Sequence, residues 1–188
     1  MEPADIKLES ERLILRPVQP GDEPQIIEYA NYEENWKWTL VDLYPYYPEH
    51  ARDFVARSVR GLQTGDHFVL GIHLKEVGHL IGAVDLRIIE KAEGCAEIGY
   101  MISYPYWGNG YAPEAVKLSI GFAFDKLKLH RIQAGIFDAN PRSGRVLEKC
   151  GFKKEGTERE RYNRDGKWHD AICYAILENE FKGIQYRL

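Results

Sequence analysis

Gly108 and Gly110 sit where an apolar run, Ala96 to Ile102, gives way to a helical pattern. Beyond them Ala112, Ala115, Val116, Ser119, Ile120, Ala123, Phe124 and Leu127 recur three and four apart, a small-and-apolar stripe along one helix face. Pro113 suits the first turn of such a helix, where a missing N–H costs little. The glycines therefore fall in a strand-to-helix turn. Its unpaired amides and the helix dipole together favour an anion, so the expected ligand is a phosphate-bearing cofactor. The turn is neither a Walker loop nor the three-glycine dinucleotide fingerprint, and a bare Gly-x-Gly is also compatible with a plain tight turn.

Other residues could act on what that turn holds. Glu97 lies in the preceding strand among apolar neighbours, where a partly buried carboxylate could take a proton directly or through water; a structural hydrogen bond is the alternative. Asn140 and Ser143 stand near a second helix start, and by position alone read as caps. Glu114, in the first turn of the glycine-turn helix, reads as a surface acid complementing the dipole. Trp36, Trp38, Tyr44, Tyr46 and Tyr47 surround a single acid, Asp42. They either seal one side of a core or wall a site where aromatic faces and Asp42 hold an ammonium group.

The elements that must position these groups follow from pattern and punctuation. Arg12 to Val18 alternates as a strand, and Asp22 and Gln25 suggest a capped helix reaching about Ala30. A helical pattern runs from Pro48 to Thr64 and closes at Gly65. Strands follow at His67–Leu74, Leu80–Ile89 and Cys95–Ile102, then the glycine-turn helix to about Leu129. A strand over Arg131–Phe137 leads to a short helix, Pro141–Lys149, stopped by Gly151. Phe152–Tyr162 and Lys167–Leu177 face each other across Asp165-Gly166 as a hairpin. Met1 to Ser10 reads as frayed. This order predicts one α/β domain over residues 1–188, with its core at about 11–180.

Composition narrows the function. The 188 residues carry a formal net charge of −4, so no basic stripe invites nucleic acid. No apolar run has membrane-span length and no secretion signal opens the chain, which predicts a cytoplasmic protein without a membrane partner. Cys95, Cys150 and Cys173 are far apart, with neither disulfide nor zinc spacing, and the six histidines form no ligand motif, so no metal is expected. A monomer or a homodimer fits equally.

The segment Ala96-Glu97-Ile98-Gly99-Tyr100 through Trp107-Gly108-Asn109-Gly110-Tyr111-Ala112-Pro113-Glu114-Ala115 resembles the acetyl-CoA site of the GNAT superfamily of N-acyltransferases. The likeness continues in Asn140-Pro141-Arg142-Ser143 and Val146 to Phe152, elements of the RimJ/RimL branch. It implies a mixed, mostly antiparallel sheet of about seven strands flanked by helices and splayed where the pantetheine arm runs. It assigns cofactor binding to Tyr106, Trp107, Gly108, Asn109, Gly110, Tyr111, Ala112 and Asn140, and protonation of the leaving thiolate to Ser143. The aromatic segment, with Trp36, Trp38 and Asp42, would then line the acceptor cleft. Two departures reduce side-chain help for the phosphates: Pro105 stands where many members have Arg or Gln, and Asn109 replaces a commonly basic residue. Arg142 and Arg145 could compensate.

The resemblance implies acetyl transfer from acetyl-CoA to a primary amine, with a protein N-terminal α-amine of ribosomal-protein type as the leading acceptor. A polyamine or an aminoglycoside-type antibiotic is the alternative acceptor. A CoA-binding sensor without turnover is the alternative of another class. Cys150 and Cys173 read as core with no adjacent His or Asp, so direct transfer is favoured over an acyl-cysteine.

Overall fold

The computed structural model describes residues 6–39 and 43–181. Asp42 lies outside the described residues. Eight strands form one sheet in the order β1-β2-β3-β4-β5-β6-β8-β7: β1 Leu8–Glu9, β2 Leu13–Pro17, β3 His67–Leu74, β4 Leu80–Glu90, β5 Cys95–Ile102, β6 Arg131–Phe137, β7 Lys153–Arg164 and β8 Lys167–Leu177. Every neighbouring pair is antiparallel except β5 with β6. The expected seven strands become eight because Leu8, in the stretch expected to fray, pairs with Leu15 and is fully buried.

Helices α1 (Glu23–Ala30), α2 (Glu33–Trp36) and α3 (Pro48–Thr64) precede β3, while α4 (Tyr111–Asp125) and α5 (Pro141–Lys149) flank β6 in sequence. The apolar stripe of α4 packs with Phe68, Leu70 and Ile72 of β3 and Ala96 and Ile98 of β5 in the larger core. On the other sheet face Ile26, Tyr29, Val55, Val69 and Ala83 form a second core beneath α1 and α3. Strand alternation separates the two: Ile98 and Tyr100 of β5 belong to the α4 side, and Met101 to the α1–α3 side.

Three local expectations change. Asp22 does not cap α1 with its side chain; it is buried and accepts two hydrogen bonds from Arg16, at 2.8 and 2.7 Å. Burial opposes its charge, but Arg16 and the Gln19 amide more than offset this and hold the carboxyl below its usual range. Gln25 closes no capping box, because its Oε1 accepts the Leu80 amide at 2.8 Å and fixes α1 to β4. Helix α4 stops at Asp125, where the Leu127 and Leu129 amides turn back to Phe122 and Ala123 and Lys128 adopts φ +56°.

Candidate active site

The sheet opens at its one parallel junction. β5 and β6 pair only through Cys95–Arg131, Ala96–Ile132 and Glu97–Gln133, and their remaining residues diverge. A cleft of about 940 Å³ lies between Ile98–Ile102 of β5 and Ala134–Phe137 of β6 and continues to the glycine turn. The resemblance implied this splay; the pairing register locates it.

At the turn, Gly108 and Gly110 both have φ +80°, the left-handed region that a side chain disfavours. Nothing lies within 4 Å of a Cβ built on Gly108, so its missing side chain leaves open space over the backbone. Among the described residues the amides of 108–112 donate to no backbone carbonyl, leaving a set of donors at the start of α4. Asn109 is exposed and braces the turn, donating to the carbonyls of Tyr106 and Trp107 at 3.1 and 3.2 Å.

Glu114 departs from the surface role expected of it. Its carboxylate accepts from Ser10 Oγ and from the backbone and guanidinium of Arg12, which also donates to the Asn109 carbonyl and lies 4.7 Å from the Tyr111 ring centre. The β1–β2 turn thus clamps the glycine turn from below. Arg142, 5.4 Å from the Trp107 ring centre, lines the cleft with Arg145 and Lys149, so cations stand along it where Pro105 and Asn109 supply none.

Farther along the cleft, Asn140 and Ser143 divide the two readings between them. Asn140 Oδ1 caps α5 by accepting the Ser143 amide at 3.3 Å, and its Nδ2 donates to the Trp38 carbonyl at 3.2 Å. Ser143 Oγ caps nothing. It lies 2.7 Å from the Tyr100 hydroxyl, which also reaches the Ser143 carbonyl at 2.9 Å. Burial raises the Tyr100 phenol, so it stays protonated and available as a donor. Tyr100 was not singled out in the sequence; its alternation with Ile98 on the core-facing side of β5 was the available signal.

Glu97 points the other way. Three residues from Tyr100 on one strand, it faces away from Ser143 and lines a second cavity of about 360 Å³ with Asp85, Arg57 and Arg87. The side chain is exposed, not partly buried among apolar neighbours as expected, because strand alternation turns it out of the core that Ala96 and Ile98 enter. The two cavities share Gly99, Tyr100 and Met101.

The aromatic segment is split between them. Trp36, 6% exposed, stacks on Tyr46 at 5.7 Å and donates Nε1 to the Ala30 carbonyl at 2.7 Å, so much of it is core. Its remaining surface lines the smaller cavity, whereas Trp38 lines the larger one. Arg164, which sequence reasoning missed, crosses from β7 to donate to the carbonyls of Trp36 and Thr39 at 2.6 and 2.5 Å. Long-range docking of this kind leaves no local pattern. The cysteines stay in the fold: burial pushes the Cys150 thiol up to about 12, so little thiolate is available near neutral pH.

A model described as "Acetyltransferase (GNAT) domain" matches residues 12–153. The Bacillus subtilis (strain 168) protein named "Probable N-acetyltransferase YjcK" is 35% identical, with 90% of this chain and 96% of that protein covered. "[Ribosomal protein uS5]-alanine N-acetyltransferase" of Escherichia coli (strain K12) is 27% identical over 91% of this chain and 90% of its own length. A crystal structure of spermidine N-acetyltransferase from Vibrio cholerae in complex with CoA and spermine superposes with a TM-score of 0.79 at 23% identity, covering 91% of this chain and 98% of that one. Among the described residues no helix is long and apolar enough to cross a membrane. On the matched span and the near end-to-end likeness, the chain belongs to the GNAT acetyltransferase family, as an acetyl-CoA-dependent N-acetyltransferase of RimJ-like type.

Proposed function

We propose that this chain, acting as one catalytic domain, transfers the acetyl group of acetyl-CoA directly to the N-terminal α-amine of a protein. The observation that carries the acceptor choice is the charge of the smaller cavity. Arg57 and Arg87 balance Asp85 and Glu97 there, so a polyamine would meet as many cations as anions, while a single amine requires no excess of acidic groups. The uS5-alanine acetyltransferase among the relatives supports the same reading.

The residues divide the work by sheet face. The free amides of 108–112 suit the cofactor's pyrophosphate, and Arg142, Arg145 and Lys149 add positive charge along the cleft. Acetyl-CoA supplies the activated thioester. The amine approaches from the Glu97 side, and Glu97, directly or through water, takes its proton as the N–C bond forms. On the opposite side of β5 the C–S bond breaks, and Ser143 gives its hydroxyl proton to the departing sulfur. Tyr100, 2.7 Å away, donates to Ser143 Oγ as negative charge develops there.

Purified protein with acetyl-CoA, assayed by thiol release, tests the acceptor. N-terminal peptides should be acetylated and spermidine and aminoglycosides should not. Turnover with spermidine or an aminoglycoside and none with peptides would replace this reading with the small-amine one. No turnover with any amine, despite acetyl-CoA binding, would favour a sensor.

A further inference from the structure

The smaller cavity is larger than an amine needs and is not built to hold an amine alone. Resting on the N-terminal-amine reading, we infer that it is a side-chain subsite selecting acceptors whose first residue is bulky and apolar, with methionine best.

Its walls are deep and apolar. Ala30, Trp36, Tyr46, Val69 and Ala83 line it, each less than 10% exposed, and come from both the sheet and the helices above it. Polar groups gather at Asp85, Glu97, Arg57 and Arg87. Both acids have basic neighbours: Glu97 and Arg87 are cross-strand partners, and His67, outside the cavity lining, places Nε2 2.8 Å from Asp85 Oδ2. A cavity of about 360 Å³ is at the small end of the volumes that hold ligands, with room for a large side chain together with the backbone that carries it.

The position fits the chemistry. Gly99, Tyr100 and Met101 belong to both cavities, so the smaller one opens where the β5 backbone meets the cleft beside Ser143. An α-amine held there carries its side chain on the adjacent carbon, and the apolar cavity is the neighbouring space. One polar atom remains in the wall. The Tyr29 hydroxyl has no hydrogen-bond partner among the described residues, although Tyr29 is only 6% exposed. Methionine fills an irregular apolar space and offers a weak acceptor in its sulfur, which matches an apolar wall with a single donor.

The test uses the full chain, acetyl-CoA and synthetic peptides that differ only in their first residue, Met, Leu, Phe, Ala, Gly or Asp, with kcat/KM read by thiol release. Met and Leu peptides should exceed Gly and Asp peptides by about tenfold or more, the order expected for filling an apolar pocket. Equal rates, or a preference for Gly, Ala or Asp, overturn the inference and leave the N-terminal reading standing. Spermidine turnover with no peptide turnover overturns both. Ala83→Leu narrows the cavity from β4 and should lower the Met-to-Ala ratio about fivefold; Phe54→Ala widens it from α3 and should raise the Phe-to-Met ratio. Tyr29→Phe should bring the Met peptide down to the Leu peptide. Because these are ratios, a general loss of folding moves neither arm against the other, and ratios unchanged in all three variants overturn the assignment.

Discussion

The cofactor cleft and the proposed acceptor pocket meet at three residues of β5 but are built in opposite ways. The glycine turn is contiguous in sequence, and its donors are backbone amides. The acceptor pocket draws side chains from α1, α2, α3, β3, β4 and β5, many of them also core. A backbone site needs few residue types and reads as a motif. A side-chain site can change its occupant one substitution at a time without disturbing the turn, so one cofactor loop can serve many acceptors.

Five substitutions press on that contrast. Trp36→Ala should show the largest effect, and on stability: about 3 kcal/mol or more is lost in denaturant unfolding, as for a buried tryptophan, because this wall is also core. A folded variant of unchanged stability that loses only acceptor affinity would make the segment a pure binding element.

Ser143→Ala should cut turnover about a hundredfold in steady-state assays while the melting temperature barely moves, since the α5 cap belongs to Asn140. Asn140→Ala is the reverse case and should cost about 1 kcal/mol of stability. Near-normal turnover in Ser143→Ala would remove the proton-donor role.

Next in size is Gly110→Val, which forces a β-branched residue to φ +80° in the turn. Acetyl-CoA affinity should fall about tenfold, close to 1.4 kcal/mol, by calorimetry. Retained affinity in a folded variant would show that the amides are not the binding groups. The smallest effect belongs to Arg164→Gln, which releases the carbonyls of Trp36 and Thr39. The acceptor KM should rise about fivefold, near 1 kcal/mol, with acetyl-CoA affinity unchanged within about twofold. An equal loss for both substrates would erase the separation between the regions.

The same contrast explains what could be read from the chain. The strands from His67 to Phe137 and the helix Pro141–Lys149 were legible at or near their ends because alternation, glycine and proline act locally. The Asp22 cap misled because Arg16, only six residues earlier on β2, takes the carboxylate, and pattern reading gives an acid before a helix its capping role alone. Ser143 and the glycine turn were named by motif, whereas Tyr100 and Arg164 were missed. Each of those two works through a contact 43 or more residues away. The Glu97 environment went wrong through facing: its neighbours in sequence are apolar, yet they enter the opposite side of the sheet.

The three-pair ladder between β5 and β6 has a thermodynamic consequence. Among the described residues it is the only direct strand pairing between the block β1–β5 and the block β6–β8. Past Glu97 and Gln133 the facing edges present backbone groups with no strand opposite, in a sheet whose other internal edges are zipped. A ligand carrying amides can occupy that gap as a guest strand and stitch the blocks together. Cofactor loading should then raise the unfolding temperature in step with its concentration, by mass action on the joined state. Because the acceptor pocket stands on Gly99 to Met101, along that same edge, its floor is firmest once the guest is seated. The enzyme is thereby disposed to take its two substrates in sequence, cofactor first.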